Sequence, residues 1–233
     1  GAFVCFWWDV NIIKIKYLGG SMLNKIKIGI RISIALFLPI AGMLFFSGYT
    51  VIGKYEASSE MGKVLELANF APAVSALVHE MQKERGASAG FIASKGAKFK
   101  DTLPNQRTDT DEKLEYLKQA LKVFQSQSFG SALVSKIGDA QQAIKELKNK
   151  RAQISNLEIT VPQMAGYYTP TIGKLLTIVE EMGNLSSNVE VTRIITAYTA
   201  FLQGKERAGI ERAMGAGGFS AGEFKPGIYR KFL

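Results

Sequence analysis

The chain has 233 residues, 47% hydrophobic and 21% charged, enough apolar material for a membrane anchor plus one sizeable domain and too much for a largely disordered chain. Its net charge of +9 does not describe a nucleic-acid binder: Lys14, Lys16, Lys25, Lys27 and Arg31 against Asp9 place +4 ahead of residue 32, and the other +5 is spread without a cluster. The lone cysteine, Cys5, excludes an internal disulfide, and the lone histidine, His79, has neither cysteine nor second histidine beside it, so no metal or other cofactor is expected.

Residues 1–21 mix aromatic and β-branched side chains with no helical stripe, and read as a poorly ordered leader or upstream read-through. Met22 opens a basic stretch, residues 22–31, expected in the cytoplasm. Residues 32–53 are uncharged and mostly apolar, the length a helix needs to cross a bilayer, and such helices tolerate a proline like Pro39. A cleaved signal peptide has a shorter apolar core followed by a small-residue cut site, so the span is expected to stay attached. With Lys25, Lys27 and Arg31 before it, the remainder of the chain belongs outside the membrane, in the periplasm.

Beyond the span the low proline count and long 3.6-residue periodicities predict an all-α fold, a helical bundle over residues 56–233. The first helix runs from Lys54, is kinked or started at Pro72, and stops at Gly96. LPNQRTDTDEK reads as a turn, with Thr108 or Asp109 opening a helix through Leu114, Leu117, Leu121 and Phe124 that ends near residues 128–130. A further helix carries Leu133, Ile137, Ile144 and Leu147 beneath exposed lysines. Residues 159–168, with Pro162, look like an entry turn to a helix over 171–182 that breaks at Gly183. The last helix covers 189–214 and stops at the glycine-rich GAGGFSAGEF, after which FKPGIYRKFL opens another element.

Two of these helices place a cation on an apolar stripe. Val74, Val78, Met81, Ser88 and Ile92 repeat at helical spacing, and Arg85 fills the missing step. Late in the chain Ile195, Tyr198, Leu202, Gly209 and Ala216 do the same, with Lys205 and Arg212 in the gaps. Arg207 falls about 140° from Arg212 around the helix and has Glu211 four residues on, so it reads first as a surface ion pair. An arginine buried without a partner costs several kcal/mol, so Arg85 either extends its charged end to solvent or meets something anionic inside the bundle. Either Arg85 and Arg212 clamp a small planar oxyanion such as nitrate, nitrite or a carboxylate, or they pair with Glu84, Glu211 or other carboxylates and hold the bundle together. Lys205 adds charge to the first arrangement, and Tyr198 could lend a hydroxyl; Tyr167 and Tyr168 read as core aromatics. Gly215, Gly217 and Gly218 form no phosphate-binding loop, and no nucleophile–base set is present, so the chain is not expected to be an enzyme.

HEMQKERGASAGFIASKG, QRTDTDEKL and YTAFLQGKERAGIERAMGAGGFSAGEFKPGIYRKF together resemble the NIT domain, the nitrate- and nitrite-sensing family of bacteria, from about Glu56 to the C-terminus. The resemblance implies an all-helical sensor that binds nitrate or nitrite through arginines, and its motif arginines fall on Arg85 in QKERG and Arg212 in GIERA. With a membrane helix ahead of it, such a domain looks like the periplasmic sensor of a chemoreceptor or related transmembrane signalling protein in the bacterial inner membrane, working as a homodimer. A further arginine, a second membrane helix and a cytoplasmic output module are expected beyond this sequence, which reads as an N-terminal fragment with the domain incomplete.

Overall fold

The computed structural model describes residues 27–185 and 189–224, and every regular element among them is helical. The chain divides into two compact units, Gly1–Ser59 and Glu60–Leu233. The expected leader and most of the basic stretch, and the element expected after Phe224, lie outside the described residues.

Helix α1, Ile28–Ala93, contributes its first part to the first unit. There it is apolar all round: Phe37 and Met43 are 71% and 77% exposed, and Leu38, Leu44, Phe45 and Phe46 are equally bare. Thr50 Oγ1 returns its proton to the Phe46 carbonyl at 2.7 Å, so even the polar side chain is satisfied within the helix. This stretch is long and apolar enough to cross a membrane.

In the second unit α1 changes character. Leu67, Phe70, Val74, Leu77 and Met81 are buried in alternating steps of three and four, the seam of a helix packed lengthwise in a bundle. Burying each such side chain contributes about 1.5–3 kcal/mol. Pro72 interrupts neither the helix nor the seam. The helix ends as expected near Gly96, whose amide reaches back to the Phe91 carbonyl at 2.8 Å with φ of +83°, a conformation glycine adopts without strain.

Helix α2, Thr102–Val123, starts earlier than the sequence suggests. The polar run read as a turn is helical because Leu103, Gln106 and Thr110 face inward and Pro104 sits in the first turn, where no amide is needed. Gln106 Nε2 donates to Glu80 Oε2 at 2.7 Å, and Thr110 Oγ1 to the Gln106 carbonyl at 2.9 Å, so its buried polar groups are paired. A 3₁₀ turn, Ser126–Phe129, follows, with Phe124 stacked between Phe70 and Phe129 at ring separations of 4.2 and 5.2 Å. Helices α3, Ser131–Lys145, and α4, Leu147–Ser155, divide what the sequence presents as one segment.

Helix α5, Val161–Asn184, absorbs the expected entry turn. Thr160 and Gln163 cap it reciprocally and Pro162 occupies the first turn, so the proline starts the helix instead of preceding it. Helix α6, Val189–Ala221, runs through the glycine-rich stretch that was expected to end it. Each helical glycine costs about 1 kcal/mol against alanine. At Gly218 close packing offsets that, since a Cβ there would stand 2.3 Å from the Phe224 ring, whereas at Gly217 it would meet Val161 at an ordinary 3.7 Å. Contacts of Gly183 with Ile195 and Gly217 with Val161 make α5 and α6 an antiparallel pair. Ser75–Tyr198 and Arg85–Glu206 contacts set α6 parallel to α1.

Candidate functional site

Arg85 is fully buried, as its place on the α1 stripe requires. Its Nη1 donates to Glu206 Oε1 at 2.5 Å and to Thr169 Oγ1 at 3.0 Å, and its Nη2 to Glu206 Oε2 at 3.2 Å. Gln82 Nε2 donates to the same Oε2 at 2.8 Å. Three helices thus meet at one guanidinium: α1 supplies Gln82 and Arg85, α5 Thr169, and α6 Glu206. Gly209 makes room, since a Cβ there would lie 2.9 Å from Arg85 Nη2. Arg85 Nε and Ser88 Oγ, both buried on this side of α1, meet no hydrogen-bond partner among the described residues.

The preceding residue, Glu84, is equally buried but enters a second network. It accepts from Arg151 Nε at 2.7 Å and Nη2 at 2.9 Å, and from the Tyr168 hydroxyl at 2.7 Å. Arg151 Nη1 continues to Asp111 Oδ1 at 2.6 Å, and its Nη2 to the Arg107 carbonyl at 3.2 Å. Arg107 Nη1 and Nη2 in turn donate to Ser155 Oγ and the Arg151 carbonyl. Burial, reinforced by the Glu84 charge, pushes the Tyr168 phenol well above its ordinary pKa. Burial opposes ionisation of Arg151, but its bonds to Glu84 and Asp111 outweigh this and raise its pKa.

The other expected site residues lie at the surface of the bundle. Arg212 and Arg207 are exposed and Lys205 is half-buried. The expectation that Arg212 enters the core beside Arg85 is corrected by α6 itself, which buries Leu202, Glu206, Gly209 and Ala213. Leu202 and Gly209 are linked either through 205 or through 206, and the helix takes the second route. Lys205 and Arg212 consequently form no ion pair among the described residues. They stand instead with His79 and Lys83 of α1: partial burial and then the Lys205, Lys83 and Arg212 charges lower the His79 pKa, against Glu80. Partial burial and then Arg212 lower that of Lys205. Tyr198 is at the surface too, its hydroxyl donating to Ser75 Oγ at 2.8 Å.

Glu206, which holds Arg85, was not singled out from the sequence. Its signal was present: a carboxylate four residues after Leu202 and three before Gly209 continues the apolar stripe. An open-sided cleft of about 1400 Å³ among the described residues is walled by Ile92, Leu157, Val161, Thr169, Met214 and Gly217. Thr169 belongs to both features, lining the cleft and accepting from Arg85.

The described residues form an all-α bundle organised around a buried arginine–glutamate pair. The family model described as nitrate and nitrite sensing matches residues 76–233, and the chain belongs to that NIT family. It is 31% identical over 174 residues to a nitrate regulatory protein of Klebsiella oxytoca, covering 75% of this chain and 44% of the relative. It also resembles the structure of the NasR transcription antiterminator, with a TM-score of 0.72 and 27% identity over 80% of this chain and 51% of that one. The chain therefore spans about half the length of these relatives or less.

Proposed function

We propose that the second unit senses nitrate or nitrite at Arg85, as the extracytoplasmic sensor of a bacterial transmembrane signalling receptor. The observation that carries this reading, within a nitrate- and nitrite-sensing family, is a fully buried guanidinium whose Nε meets no partner among the described residues. A planar oxyanion fits a forked, permanently charged donor. Arg212, with Lys205 beside it, is the second proposed ligand-binding position: both stand at the rim, where two cations without an ion pair among the described residues draw a small anion toward the bundle. Arg207 and Tyr198 are supporting positions at most.

The bare apolar part of α1 favours a membrane anchor over a freely soluble regulator, since about twenty exposed apolar residues are costly in water. The anchored receptor works as a homodimer in the inner membrane with its output module elsewhere in the protein, and its role is binding and signalling instead of catalysis. The solved relative's description as a transcription antiterminator favours the alternative that the whole protein acts on transcription.

The test is thermal stability of the full chain in detergent, titrated with nitrate and nitrite against chloride and acetate at constant ionic strength. A ligand at a hundred times its dissociation constant adds about 2.7 kcal/mol, a readily seen rise. A second reading rests on the Arg85–Glu206 pair, which neutralises the arginine internally: a ligand-free structural bundle responds equally to all four anions. A rise with acetate alone would instead identify a carboxylate sensor using the same arginine.

A further inference from the structure

The geometry points to Glu206 as a built-in stand-in for the ligand: its carboxylate occupies the oxyanion position on Arg85, and an incoming anion must displace it. This inference rests on the nitrate-sensing reading above and adds how the site is held closed.

A carboxylate and nitrate share what a guanidinium recognises, two oxygens in one plane carrying delocalised negative charge. Glu206 presents both of its oxygens to the outer nitrogens of Arg85, Oε1 to Nη1 and Oε2 to Nη2. That is the end-on fork a bound oxyanion would use. Gln82 adds a third N–H to Oε2, so the pocket already supplies a ring of donors around the carboxylate. Thr169, the remaining partner of Nη1, lies on the wall of the cleft, and the cleft thereby reaches the edge of the pair. Arg85 Nε and Ser88 Oγ are unpartnered and buried; a ligand that reaches them gains bonds that Glu206 does not make.

Two anions cannot share this one cation without strong repulsion, so ligand and Glu206 compete. The ligand's apparent affinity is its intrinsic affinity scaled by the fraction of time Glu206 is away. The released carboxylate leaves toward the surface of α6, where the adjoining positions 205 and 207 are cations. The competition also has a mechanical result. Glu206 carries the Arg85 and Gln82 bonds that tie α6 to α1, and its displacement releases both. Ligand entry is thus coupled to loosening of α6 from α1, which supplies the differential interaction a conformational signal requires.

The experiment is calorimetric titration of nitrate and nitrite into the full chain in detergent, for the unaltered protein, Glu206→Gln and Gln82→Met. Glu206→Gln keeps the shape and removes the competing charge, and is expected to bind nitrate or nitrite roughly tenfold more tightly, the difference between a charged and a neutral hydrogen-bonded partner. Gln82→Met leaves Arg85 paired but removes one bond holding Glu206 in place, and is expected to tighten binding a few-fold. It keeps the test decisive if Glu206→Gln fails to fold by circular dichroism. Binding by the unaltered protein with no gain, or a loss, in the folded variants overturns the stand-in and makes Glu206 a support of the site. Absence of nitrate and nitrite binding in all three proteins overturns the nitrate reading itself.

Discussion

Glu84 and Arg85 are consecutive residues of α1, both fully buried, and their opposite charges enter two different networks. Consecutive residues of α5 meet them: Tyr168 donates to Glu84 and Thr169 accepts from Arg85. Glu84 then leads to α4 through Arg151, and Arg85 to α6 through Glu206. One helical turn of α1 therefore joins the candidate site to the Arg151 network of α4.

The Glu84 network should behave as a structural lock. Removing one partner of a buried pair strands the other and costs about 3–5 kcal/mol. Glu84→Ala is expected to lower unfolding free energy by that order in chemical denaturation. Tyr168→Phe, which deletes only the hydroxyl bond to the carboxylate, should cost about 1.5–3 kcal/mol. A loss under 1 kcal/mol for Glu84→Ala would show that the network is peripheral to stability.

Two glycines of α6 should respond to alanine with opposite signs. At Gly204 nothing lies within 4 Å of a new Cβ, so Gly204→Ala should gain about 0.5–1 kcal/mol from helix propensity. At Gly209 the new methyl meets Arg85 Nη2 at 2.9 Å, and the fully buried guanidinium has little room to withdraw. Gly209→Ala is expected to destabilise despite the same propensity gain, and to weaken anion binding. Equal stabilisation by both, in thermal melts, would contradict the packing around Arg85.

The cationic rim predicts acid sensitivity. The His79 pKa is lowered from 6.5, by partial burial first and then by Lys205, Lys83 and Arg212 against Glu80. The unfolded chain therefore binds a proton more readily, and stability falls as pH drops from 6.5 through the lower folded pKa. Above 6.5 this contribution is constant. His79→Gln should flatten that part of the stability–pH curve, and added salt should shrink the difference between the two proteins. Identical curves for both at low ionic strength would remove His79 from the rim.

Anchoring by α1 makes a separate prediction. A charged residue at the centre of a membrane helix costs about 2.5–3.5 kcal/mol. Leu44→Arg together with Phe45→Arg should move the chain from the alkali-resistant membrane pellet to the supernatant or to aggregates. Retention of the double variant in the pellet would mean that residues 32–53 do not form the anchor.

By itself the sequence determined the all-α class, the apolar span and the place of Arg85 on the buried stripe of α1. Each is written in composition or in a periodicity that has one solution: a buried stripe through Val74, Val78, Met81 and Ser88 must include position 85. Helix limits were less legible where two local signals compete. Prolines at 104 and 162 read as turn formers, yet both fall in first turns, and the cost of Gly218 in α6 is offset by its packing against Phe224, which local propensity does not report. The second stripe had two solutions. From Leu202 to Gly209 a helix passes equally through Lys205 or Glu206, and only the α1–α6 packing decides between them. It decided for the carboxylate because the buried Arg85 across the interface needs a counter-charge, and it left Lys205 and Arg212 at the rim. Pairing between helices more than a hundred residues apart is a property of the assembled bundle, which no local pattern contains.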